Sequence, residues 1–184
     1  DDIVTEIAPK QEFIVKPIKS EYFSDEARVE LASFQKDLNK LRRALQGINR
    51  ITSETENKIQ LMKVAIDQSP GSSESMRAEV RILEKEIKEI REILSGNNPI
   101  SSRNYDLPPT LFGRIESVIY SQWRTYGPPT ETQRQSYNAA LKEFEPLYIR
   151  LKNLVEKDLV ELEKKLEKIG APYTPGRFPA WELD

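Results

Sequence analysis

Six aromatic side chains crowd one part of this sequence: Tyr105, Phe112, Tyr120, Trp123, Tyr126 and Tyr137, with Arg114 and Arg124 set among them. Rings flanked by guanidinium groups could line a groove for a small ligand, a glycan or a partner protein. On that reading Tyr120, Trp123, Arg124 and Tyr126 are the candidate contact residues. The same rings could instead fill the core of a wide helical cross-section. Aromatic residues at helical spacing usually pack inward, so the pattern favours core over groove.

Other chemistry finds little material. The chain has no histidine and no cysteine. That removes the usual general base and the commonest transition-metal ligand near neutral pH, together with thiol catalysis, disulfides and thiolate metal sites. A carboxylate-bridged metal bundle needs inward Glu-x-x-His pairs, which cannot be built here. A glycosidase carboxylate pair is open to composition, yet it needs a concave site that a narrow bundle hardly offers. No Gly-x-x-x-x-Gly-Lys loop, Gly-x-Ser-x-Gly elbow or Asp-rich calcium loop occurs. The expectation is a chain without catalytic residues, cofactor or metal, not an enzyme.

The elements that must position the aromatic residues are clearer. Leu31, Phe34, Leu38, Leu41, Leu45, Ile48, Thr52, Thr55, Ile59, Met62 and Ile66 are spaced 3,4,3,4 without interruption. Such a stripe predicts one long helix, about 25 to 68 and roughly 65 Å long, buried against other helices. Thr52 and Thr55 could set register, or simply be small polar residues tolerated in the seam. Ser24 is the expected N-cap, with Asp25 and Glu26 in the first turn. Ser69-Pro70-Gly71-Ser72-Ser73 ends the helix and forces a hairpin.

Helix two is expected over 74 to 95, on Met76, Val80, Leu83, Ile87, Ile90 and Leu94, covering residues 48 to 68 of helix one. After a polar loop, helix three is expected over 109 to 126, with Leu111, Phe112, Ile115, Val118, Ile119 and Trp123 as its apolar positions. Thr130 to Gln133 forms a capping box. It opens helix four, 131 to 169, with a stripe of Tyr137, Leu141, Phe144, Tyr148, Leu151, Val155, Leu159, Leu162, Leu166 and Ile169 and a kink expected at Pro146.

The predicted fold is therefore all-α: an antiparallel up-down four-helix bundle of two long and two shorter helices, tapering to a two-helix coil. In that order Leu151 to Ile169 would cover Leu31 to Leu45. Both termini would meet at the thin end, covered by Phe13, Tyr22, Phe23, Tyr173, Phe178 and Trp181. Residues 1–23 read as an extended lead-in or linker, 24–170 as the bundle and 171–184 as a tail.

Charged residues make up 32% of the chain with a formal net charge of −2. Their signs are interleaved, so no basic footprint for nucleic acid is present. No apolar run approaches the roughly 20 residues of a membrane span. A start at Asp1-Asp2 without Met suggests a piece of a longer polypeptide.

Several segments in this order also resemble a known family region. They are Phe13-Ile14-Val15 with Pro17 before a long helix, Ile48-Asn49-Arg50-Ile51 within it, Pro129-Thr130-Glu131-Thr132-Gln133-Arg134 opening the last helix, and Gly170-Ala171-Pro172-Tyr173 closing it. Together they resemble the C-terminal helical region of bacterial sortilin-type, BNR-repeat β-propeller proteins, often labelled glycosyl-hydrolase-like. Lys16-Pro17-Ile18 departs from the Asp-Pro-Arg common there. The resemblance implies a non-catalytic helical appendage of an exported, periplasmic or extracellular protein, with a structural or protein–protein role. Its partner would be the propeller of the same polypeptide or another protein. Alternatives are a freestanding coiled-coil adaptor or chaperone-like clamp, and a binder of a small ligand or glycan at the aromatic cluster.

Overall fold

The structure is a computed structural model that describes residues 10–15, 23–96, 109–124 and 127–177. Among these residues every regular element is helical. Helix α1 spans Asp25–Gln68 and α2 spans Glu74–Ser95. Helix α3 spans Leu111–Trp123. The last long helix is α4, Glu131–Asn153, which runs through a π-helical turn, Leu154–Asp158, into α5, Leu159–Lys168. The all-α bundle of two long and two shorter helical stretches is thus present.

The helix starts follow local chemistry. The Ser24, Ser73, Thr110 and Thr130 hydroxyls each accept an N–H from the first turn of the helix that follows. At Thr130 the box is reciprocal, because the Thr130 N–H also donates to Gln133 Oε1 at 2.9 Å. Each cap satisfies a backbone donor that the helix itself leaves orphaned.

Ion pairs fix the directions. Lys63–Glu84 at 2.8 Å and Arg91–Glu56 at 2.6 Å lay α2 antiparallel along the second half of α1, and the Ser95 hydroxyl meets Asn49 at 3.0 Å. Helix α3 is also antiparallel to α1, with Arg42–Glu116 at 2.8 Å. It therefore continues in the direction of α2, beyond α2's end. Gly96, with φ +84°, lies where α2 abuts α3: an added Cβ would sit 3.1 Å from the Thr110 methyl carbon. The last long helix runs parallel to α1. Phe34 meets Tyr137 edge-on at 5.6 Å near one end, and Lys58 meets Glu163 at 2.6 Å near the other.

These pairings correct three expectations of arrangement. The order is up, down, down, up, so the bundle is three helices thick along its length, with α2 and α3 stacked end to end as the third. It does not taper to two. Leu31 to Leu45 is covered by α3 and the first half of α4, not by Leu151 to Ile169. A tight turn forces reversal, but the longer stretch between α2 and α3 does not. The chain also enters and leaves the bundle at opposite ends. Arg134 pairs with Glu30 at the start of α1, while Gly71 and Ile169 lie together at its far end.

Covering of one end by both terminal segments is therefore not seen. Phe13 is exposed, and Tyr22, Phe178 and Trp181 lie outside the described residues. Residues 171–177 instead dock on the far end, with Ala171 and Thr174 buried. There Arg177 donates to Glu167 and to the Ala171 and Pro172 carbonyls, and its guanidinium stacks on Tyr173.

The π turn has a sequence cause. Buried residues in α4 run Gln133, Ala140, Leu147, Leu151 and Leu154, and after Leu154 the same rhythm would place Asp158 in the core. The next apolar residue is Leu159. The turn absorbs the extra residue by an i→i−5 hydrogen bond from Leu159 N–H to Leu154 O, which swings Leu159, Leu162 and Leu166 back into the core. Helix continues through Pro146, and the irregularity falls eight residues later. Tyr148, assigned to the stripe from sequence, is exposed, whereas Ala140, Leu147 and Leu154 are inside.

Half-buried Asp158 is left facing α2. Burial raises its pKa first, and Glu86, Glu161 and Glu79 add to this against Lys157. A raised folded pKa means that ionisation destabilises the fold above it. Asp158→Asn is therefore expected to raise the melting temperature at pH 7 by about 1–3 °C, a gain that shrinks as pH falls and the native carboxyl protonates.

Glu84 behaves oppositely. Hydrogen bonds from Lys63, Gln60 and Lys88 lower its pKa from 4.5 to about 2. Its stabilising contribution is present above pH 4.5 and lost as pH falls toward 2. Glu84→Gln should melt below the native chain at pH 7, with the gap closing between pH 4.5 and 2 in a series of melts.

Candidate functional site

The 4,3,4 rhythm of α3 puts Leu111, Ile115, Val118 and Gln122 inside, with Ile119 beside them. Trp123 stands off that line and Tyr120 further still. At about 100° per residue both rings swing outward. Tyr120 is 58% exposed and Trp123 is 74% exposed. The core assignment made for these two rings is overturned. Phe112 and Tyr137 do pack against the core. Tyr105 and Tyr126 lie outside the described residues.

A glutamine holds the inward place instead. Gln122 donates from Nε2 to Gln133 Oε1, which also accepts the Thr130 N–H. Gln133 Nε2 donates to the Ser121 hydroxyl at 2.8 Å, and that hydroxyl donates to the Val118 carbonyl at 2.8 Å. The capping box of α4 thus grips the last turn of α3. Low hydropathy hid Gln122 from sequence reading. The unbroken spacing from Leu111 was the signal that could have found it.

The two arginines do not converge. Arg124, closing α3, lies over the Tyr120 ring at 5.2 Å. Arg114, a helix length away, pairs with Glu143 at 3.3 Å. The structure therefore brings Tyr120, Trp123 and Arg124 together on one exposed corner and leaves Arg114 to brace α3 against α4.

Beside this corner, between α1 and α3, lies a cleft of about 160 Å³ lined by Gln35, Leu38, Asn39, Ile119, Gln122 and Trp123. Its lining carries no charge. A larger open groove, about 700 Å³, runs past Ile93, Ala139, Pro146 and Leu147, and its Arg150 is held by Glu86 and Glu89. Among the described residues no group of three or more carboxylates could hold a metal. None of their helices is long and apolar enough to cross a membrane. The Thr52 hydroxyl donates to the Ile48 carbonyl of its own helix at 2.7 Å.

What the corner offers is recognition: exposed rings, a guanidinium and amide groups. Trp123→Ala is expected to change stability by less than about 0.5 kcal/mol, the range of ordinary surface substitutions, in a denaturant melt. Compared with known proteins, the chain matches no family model, no curated protein and no solved structure.

Proposed function

We propose that this chain is a non-catalytic helical C-terminal module of a larger exported propeller protein, working in the periplasm or outside the cell as a structural or protein–protein contact element. The observation that supports it is the exposed Tyr120–Trp123–Arg124 corner at one end of a bundle whose entry and exit lie at opposite ends. Large rigid rings with a nearby guanidinium are the side chains that most often anchor protein contacts. The resemblance to sortilin-type propeller proteins supports the larger polypeptide. Its propeller, or another protein, is the partner in this reading.

The test is the intact mass and cell fraction of the native polypeptide that contains these peptides. A mass several times 21.3 kDa in an exported fraction supports the module. A native mass near 21.3 kDa in the cytosol overturns it in favour of the freestanding adaptor.

A second reading, a binder of a small ligand or glycan, is favoured by the uncharged cleft with Trp123 at its edge. Loss of saturable ligand binding in Trp123→Ala, with the fold intact, is the result it requires.

A further inference from the structure

Phe13, Ile14 and Val15 are 84%, 84% and 80% exposed, three adjacent large apolar side chains left in water. Single exposed apolar residues are ordinary, but a run of them marks a contact that the bundle itself leaves unmade. The backbone around them is equally unserved: residues 10–15 are not helical and make no hydrogen bond to another described residue. Their chemistry selects the kind of partner. Ile14 and Val15 are β-branched and Phe13 is aromatic, the types that favour a pleated strand. In extended backbone Phe13 and Val15 stand on one face and Ile14 on the other, so a one-sided groove would bury one set and leave the other in water. A sheet covered on both faces takes all three. Six residues is the ordinary length of a strand, and Pro17, which has no N–H, is where a ladder would stop. The described bundle has no strand to offer.

Resting on the first reading above, we propose that residues 10–15 are a β-strand that adds to an open sheet edge in the part of the parent polypeptide outside this chain. Main-chain N–H to C=O bonds along that edge hold the strand, and its apolar side chains enter the two faces of the sheet. Such a join tethers the sheet to the end of the bundle where α1 begins. Trp123 lies beside Gln35 and Asn39, about 15–20 Å along α1 from Asp25, so the Tyr120–Trp123–Arg124 corner is at that same end.

The experiment is hydrogen exchange, read residue by residue, on the native polypeptide and on the 184-residue chain alone. In the native polypeptide alternate amides of residues 11–15 should exchange about 100-fold slower than in the 184-residue chain, where all of them should exchange at free-chain rates. Alternation is the mark of an edge strand, whose N–H groups point by turns toward and away from the sheet. Of Phe13→Pro and Ile14→Pro in the native polypeptide, the one that removes a slowed N–H should abolish the protection and the other should leave most of it. A polypeptide several times 21.3 kDa in which residues 11–15 exchange freely overturns the strand and leaves the module reading standing. Slow exchange already present in the 184-residue chain, or uniform protection of every amide, overturns the strand as well. A native mass near 21.3 kDa overturns the module reading and the strand with it.

Discussion

Inserting one alanine after Lys157 is expected to destabilise the bundle by at least about 3 kcal/mol, whereas deleting Lys157 is expected to leave it within about 1 kcal/mol of the native chain. The asymmetry follows from the π turn. Leu154 and Leu159 are five residues apart, one more than the seam rhythm allows, and the turn takes up that residue. Deletion turns the spacing from Leu151 to Leu166 into 3,4,3,4, which plain α-helix can carry while keeping Leu159, Leu162 and Leu166 inward. Insertion rotates those leucines by about 100°. All three are at most 1% exposed. Fully burying each such side chain is worth about 1.5–3 kcal/mol, so even partial loss of three takes much of a typical domain's stability. Denaturant melts of both variants check this. A destabilised deletion together with a neutral insertion would show that the turn is not a register device.

Truncation at the junction of α2 and α3 is the second large effect. Leu94 closes α2 and Leu111 opens α3, and both are 0% exposed. They bridge the place where the third helix of the bundle is broken. Leu94→Ala or Leu111→Ala should each cost about 2–5 kcal/mol, the range for deleting a buried leucine and leaving a cavity. Hydrogen exchange adds a sharper criterion. If the two halves fold as one unit, either truncation lowers protection in α3 and in the second half of α1 together. Loss confined to α3 would mean that α3 is a separately stable flap on the corner carrying Trp123.

The contrast with Trp123→Ala bears on how the sequence is read. In α3 hydrophobicity and rhythm disagree: Trp123 is apolar and off the stripe, Gln122 is polar and on it. Rhythm prevailed: Gln122, on the stripe, is buried with its Nε2 donating to Gln133 at the mouth of α4, while Trp123, off the stripe, is exposed. The same holds in α4, where small Ala140 lies inside and Tyr148 outside.

Helix existence was legible locally, since the caps at Ser24 and Thr130 and the stripe of α1 act within a few residues, whereas the Thr110 cap was not read and α3 starts at Leu111 rather than 109. The hairpin of α1 and α2 was legible as well, because its turn is too short for any other path. The direction of α3 was not. It depends on whether α3 packs more surface by reversing or by continuing α2, and no local rule decides between two packings across a longer connection. That choice placed the last helix parallel to α1, sent the chain out at the far end, and turned an expected aromatic core into an exposed corner. The sequence by itself determined a helical bundle of long heptad stripes with neither histidine nor cysteine. Only tertiary packing decided that the bundle is three helices thick and that Trp123 faces water, because burial is set by which neighbours a face meets, and those neighbours come from distant parts of the chain.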